Sequence, residues 1–128
     1  MLDHISVPVS NLKISAAFYE KTLRVLGYRK IKDFGNAVSF GTSHEHPGSF
    51  DPGGDFWLYQ SASAPCKAVH FAFSASSQDA VSAFYQAGIA AGATDNGQPG
   101  LREHYHPDYY AAFLIDPDGY NIEAVHHN

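Results

Sequence analysis

The sequence predicts an α+β fold: two tandem βαβββ modules forming a curved mixed sheet around a cavity, with the helices on its outer face. Three observations carry that prediction. The first is an internal repeat. Shifted by 66 residues, His4 falls on His70, Ser10 on Ser76, Ala17 on Ala83, Phe18 on Phe84 and Tyr19 on Tyr85. The second is periodicity, because each copy passes from the two-residue alternation of a half-buried strand into apolar spacing of helical period. The third is size: 128 residues, 45% of them hydrophobic, fit one domain, 1–128, with modules of approximately 1–62 and 66–128. A single module exposes an apolar sheet face, and pairing two modules buries it.

The elements follow in order. Residues 2–9 alternate, with Ile5, Val7 and Val9 on one face and His4, Ser6 and Pro8 on the other. Ser10 suits a helix N-cap, and the helix after it carries Ile14, Ala17, Phe18 and Val25 at helical spacing before Gly27 ends it. Strands are expected at 28–33, 37–41 and 55–61, with 42–54 as a longer loop rich in Gly, Pro, Ser and His. In the second half, residues 69–75 place His70, Ala72 and Ser74 on a shared face. Ser76 or Ser77 then caps a helix with the stripe Val81, Phe84, Tyr85 and Gly88. A weaker strand at 93–95 precedes strands at 109–115 and 120–126, the last two joined by the tight turn Asp116-Pro117-Asp118-Gly119.

Composition excludes several classes. The formal net charge is −5, and Lys13, Lys21, Arg24, Arg29, Lys30 and Lys32 crowd into the first helix and the strand after it. That crowd reads as a solvated helix face, and the acidic balance argues against nucleic acid as a partner. Cys66 is the only cysteine, which rules out an intramolecular disulfide and a thiolate cage for zinc. No apolar run approaches the ~20 residues of a membrane span, and the N-terminus lacks the segments of a signal peptide. A cytoplasmic protein without a membrane partner is the expectation.

The repeat sets His4 and His70 at equivalent places on the first strand of each half. Glu123 lies on the last strand, sharing a face with Asn121 and Val125 while Ile122 and Ala124 point toward the helices. Two imidazoles and one carboxylate on the polar side of the sheet form the ligand set of an open facial site for one divalent metal. Iron, nickel, manganese and zinc all suit such a set. The same shift puts Trp57 at the fourth position, where it cannot ligate and would instead wall the cavity.

Four stretches together resemble the vicinal oxygen chelate superfamily, which includes glyoxalase I, bleomycin-resistance proteins, fosfomycin-modifying transferases and extradiol dioxygenases. They are Asp3-His4-Ile5; Phe18-Tyr19-Glu20 followed by Leu26-Gly27-Tyr28; Val69-His70-Phe71; and the run from Asp116 to Glu123. The resemblance covers nearly the whole chain. It implies a βαβββ duplication, a divalent metal chelated by vicinal oxygens of a small-molecule substrate, and a homodimer.

The resemblance leaves three readings. The first is a glyoxalase-like lyase or isomerase in which Glu123 serves as both ligand and base, since Trp57 stands where the family's other carboxylate would be. The second is an extradiol-type dioxygenase on Fe(II). The third is a non-catalytic small-molecule binder of the bleomycin-resistance type, with Trp57, Tyr59 and Phe113 lining its pocket. Residues 102–110 are rich in groups for acid–base work near neutral pH. There His104 and Tyr110 are candidates for proton transfer, and Arg102 and His106 for contacts with the substrate; His106 and Tyr109 share the proton-transfer candidacy. His44 and His46 read as surface-loop residues, and His126 and His127 as a fraying end.

Overall fold

In the computed structural model, which describes residues 2–42, 52–63 and 68–127, the β-α-β-β-β order appears twice. The first half comprises β1 (Ile5–Val9), α1 (Leu12–Arg24), β2 (Tyr28–Asp33), β3 (Ala37–Thr42) and β4 (Phe56–Gln60). The second comprises β5 (His70–Ser74), α2 (Gln78–Ala90), β6 (Thr94–Leu101), β7 (Tyr109–Ile115) and β8 (Asn121–His127). His44, His46 and Cys66 lie outside the described residues. Among those described, no helix is long and apolar enough to cross a membrane.

Each half forms its own four-stranded mixed sheet, in the orders β1-β4-β3-β2 and β5-β8-β7-β6. The parallel pair in each has the same register. Ser6 lies opposite Trp57 in the first, and Ala72 lies opposite Glu123 in the second. Both pairs are related by the 66-residue shift, so the repeat is structural. The shift fails for the third strand, where Ser39 faces Trp57 but Phe113 faces Glu123. The first half has its extra length after β3, whereas the second has it before β7.

Among the described residues, hydrogen bonding between strands stops at the module boundary, and side chains join the halves. Phe56 of β4 packs against Phe71 and Phe73 of β5 at ring distances of 5.5 and 5.2 Å. Tyr28 meets Phe73 edge-on at 5.6 Å. Such ring pairs contribute roughly 0.5–1.5 kcal/mol each beyond their buried area. Tyr120 also crosses over, donating its hydroxyl to the Pro8 carbonyl at 2.6 Å. The shared core contains Val7, Val9, Phe40 and Leu58 from one half and Phe84, Leu114, Ile122 and Ala124 from the other.

The turn before β8 anchors this junction. Gly119 adopts φ +92°, open to glycine at little cost, and its N–H closes the turn on the Asp116 carbonyl at 3.0 Å. Asp116 Oδ1 accepts from the N–H groups of Asp118 and Tyr120, both at 2.9 Å. Its other oxygen accepts the Tyr19 hydroxyl from α1. Burial pushes the Asp116 carboxyl above the usual range, against the opposing pull of those donors, and burial likewise raises the Tyr19 phenol.

Four sequence expectations need correction. Asn11, not Ser10, caps α1, its side chain accepting from Ile14 N–H at 3.1 Å. Ser10 is drawn away by Asp118, which takes both its hydroxyl and its N–H. The buried face of α1 is Leu12, Ser15, Phe18, Tyr19, Thr22 and Leu23, while Ile14 and Val25 are exposed. Turning Tyr19 toward Asp116 rotates the stripe away from the expected one. The weak strand at 93–95 extends over Thr94–Leu101, an edge strand whose register shifts at Gly97 accommodate Pro99. Finally, β8 does not fray at His126 and His127. His127 pairs opposite Tyr109, and His126 donates from Nδ1 to the Ala75 carbonyl at 2.9 Å.

Candidate functional site

Strand alternation puts Glu123, His70, Ala72, Tyr109, Phe113 and His127 on the face of the second sheet away from the helices. Glu123 sits in the middle strand of that group and is only 2% exposed. A buried carboxylate needs partners, and among the described residues it has two. His70 Nε2 stands 3.0 Å from Oε2, and the Tyr109 hydroxyl donates to Oε1. Burial and the Glu123 carboxylate together hold the Tyr109 phenol well above its ordinary pKa, so it remains a proton donor at any ordinary pH.

The His70 ring is fixed by its other nitrogen. Nδ1 lies 3.0 Å from the Asn121 carbonyl, which can only accept, so Nδ1 carries the proton. Nε2 then meets Glu123 either as a second N–H, making the ring an imidazolium, or as a lone pair facing a lone pair. The second arrangement is favourable only with a cation between them. Two adjacent ligands at the ~2.1 Å of a typical metal–nitrogen or metal–oxygen bond stand roughly 3 Å apart when they subtend a right angle. The His70–Glu123 spacing fits that geometry, and an imidazole whose far N–H is tied to a carbonyl is the usual support for a metal ligand.

His4 is placed differently. It immediately precedes β1, and its Nδ1 contacts Asp3 Oδ1 at 2.6 Å. It borders a hollow of about 120 Å³ with Tyr28, Asp55, Ala72 and Phe73. Among the described residues, no three His, Cys, Asp or Glu side chains converge within one chain. The structure thus brings together His70 and Glu123 but not His4.

The other candidates divide by strand parity. Phe113 stacks on His70 at 6.2 Å and carries the Arg102 guanidinium over its ring at 5.4 Å. Arg102 Nη2 also donates to the Gln98 carbonyl at 2.7 Å. Tyr110 points the other way and packs against the core. Its neighbour Tyr109, placed with it among the possible proton-transfer groups, is the one touching Glu123. The signal was available in the sequence, since Tyr109 shares the parity of Phe113 and Tyr110 does not. His104 lies in the exposed turn against Tyr105 at 4.3 Å. His106 bonds to His127 at 2.9 Å, a pairing that leaves no signal in the sequence.

In the first sheet, Trp57 donates Nε1–H to the Gly54 carbonyl at 3.0 Å and stacks nearly parallel with Phe34 at 6.0 Å. Tyr59, on the same face, is 41% exposed. Trp57 therefore has local packing where its counterpart Glu123 has polar partners.

Comparison with known proteins identifies the fold. The family model of the Glyoxalase/Bleomycin resistance protein/Dioxygenase superfamily matches residues 1–124. The chain belongs to that superfamily. Among solved structures, it is similar to a glyoxalase/bleomycin resistance protein from Albidiferax ferrireducens T118, at 28% identity and TM-score 0.81, covering 98% of each chain. The superfamily fold recurs in a glyoxalase/bleomycin resistance protein/dioxygenase family enzyme from Burkholderia phytofirmans PsJN. That match has 17% identity and TM-score 0.74, covering 99% of this chain and 98% of that one. It recurs again in a point mutant of the fosfomycin resistance protein FosX from Listeria monocytogenes, complexed with Mn(II) and 1S,2S-dihydroxypropylphosphonic acid. There the identity is 16% and the TM-score 0.68, with coverage of 98% of this chain and 88% of that one. No curated protein matches.

Proposed function

We propose that this protein is a metal-dependent, glyoxalase-like enzyme, a lyase or isomerase of a small oxygenated substrate, acting as a cytoplasmic homodimer of single-domain chains. One observation carries the reading. His70, its Nδ1 tied to the Asn121 carbonyl, sets Nε2 at 3.0 Å from Glu123 Oε2, the spacing of two ligands on one divalent cation. His70 and Glu123 are two of its ligands. His4, set apart within one chain, is the third and comes from a second copy. The Mn(II)-bound FosX relative supports the expectation of a metal on this fold.

When bound, the metal supplies Lewis acidity toward substrate oxygens. The chain's own groups do the rest. Glu123 is positioned to take a proton from the substrate, while the Tyr109 hydroxyl on Oε1 keeps the carboxylate oriented and can return a hydrogen bond to developing charge. Arg102, over the Phe113 ring that stacks on His70, is placed to pair with an anionic part of the substrate.

Metal analysis of His70→Ala tests this reading. The variant should fold yet bind one equivalent of metal fewer per chain than the wild type, and sedimentation should give a dimer for the wild type. Full retention of metal would refute the assignment. Iron with oxygen uptake on adding catechols would shift the reading to ring cleavage.

A further inference from the structure

A second pair of nitrogen donors lies on the same sheet face beyond Glu123. His106 Nε2 and His127 Nδ1 are 2.9 Å apart, with ring centroids at 4.9 Å and planes inclined by 30°. Both imidazoles press edge-on against the Tyr109 ring, at 5.1 and 5.2 Å. Their backbones are fixed as well. His127 lies in β8 opposite Tyr109, while the His106 carbonyl accepts from Tyr109 N–H at 3.2 Å. The base of the turn is closed by Arg102 N–H on the Tyr109 carbonyl at 2.7 Å.

We infer that His106 and His127 form a second transition-metal site, distinct from the one at His70 and Glu123, for a borderline divalent cation such as zinc, nickel or copper. Two imidazole nitrogens on one such ion, each bonded at ~2.0–2.1 Å, stand roughly 3 Å apart, so the pair needs little movement to chelate. At present one ring donates to the other. On coordination the donor ring carries its proton on its far nitrogen instead, so two neutral imidazoles face the ion and no net charge is lost. Water completes the shell, since both residues are exposed to solvent. Because Tyr109 lies against both rings and bonds Glu123, occupancy of this pair also fixes the phenol that supports the first site.

Imidazole nitrogen NMR during titration with zinc sulfate is the test, since it reads each ring separately. The signals of His106 Nε2 and His127 Nδ1 should move together to the metal-bound range, with a second equivalent of zinc bound per chain. His127→Gln should abolish the shift at His106, and total zinc should fall from two equivalents to one. If both rings keep their hydrogen-bonded signals at saturating zinc, the inference is wrong. The His70 signal reports the first site independently: loss of its shift alone overturns the proposed function, and loss of the His106 and His127 shifts alone overturns this one.

Discussion

Tyr109 and His70 divide the carboxylate of Glu123 between them, the phenol on Oε1 and the imidazole on Oε2. The arrangement follows from register: His127, opposite Tyr109, and Glu123 are four residues apart on β8, and Ala72, opposite Glu123, is two residues beyond His70. One oxygen thus takes the phenol hydroxyl, and the other stands 3.0 Å from an imidazole nitrogen.

Replacing Tyr109 by Phe removes the support and keeps the ring. Partners one step out from a metal commonly change affinity by about 10–100-fold when lost. Tyr109→Phe should weaken metal binding by about 10-fold with the fold retained, measured by competition with a chromophoric chelator. Unchanged affinity would show that the phenol does not orient Glu123.

Asp116 predicts a pH effect of definite sign. Burial raises its folded pKa above that of the unfolded chain. The unfolded state therefore ionises first, and the folded state is favoured where Asp116 is protonated. This contribution is fully present below the unfolded pKa and is lost as pH rises through the folded one. In Asp116→Asn that component is absent. Urea melts between about pH 4 and 7 should show the stability difference between wild type and variant shifting toward the wild type as pH falls, and a difference that stays flat would contradict the burial argument.

Gly88 marks a close approach. A Cβ there would lie 2.2 Å from Leu114 Cδ1 and 3.1 Å from Thr22 Cγ2, where α2 crosses both β7 and α1. Leu114 and Thr22 are both fully buried, with little room to yield. Alanine favours the helix by roughly 0.5–1 kcal/mol, but overpacking costs about 1–3 kcal/mol. Gly88→Ala should therefore lower Tm despite the better helix former, as read by calorimetry.

The bond from Tyr120 to Pro8 joins the modules directly. Tyr120→Phe leaves the carbonyl of Pro8 without that donor and should cost about 1–2 kcal/mol in a denaturant melt. Hydrogen exchange should rise at the β1 end of the junction and remain unchanged at β7.

The sequence by itself determined the duplication, the order of elements, the turn at Asp116–Gly119 and the face on which His70 and Glu123 stand. Those features are local, because strand parity, helix period and turn chemistry are written within a few residues of one another. Tertiary structure decided the rest. Ser10 lost the capping role to Asn11 because Asp118, 108 residues away, captured it. The stripe of α1 turned because Tyr19 found Asp116. Tyr109 rather than Tyr110 met Glu123, and His106 met His127, because the turn between β6 and β7 folds back over the sheet. His4, equivalent to His70 by sequence, ended beside Asp3. Equivalence in a repeat specifies a strand position, whereas the partners of a side chain depend on which neighbouring segment packs against it.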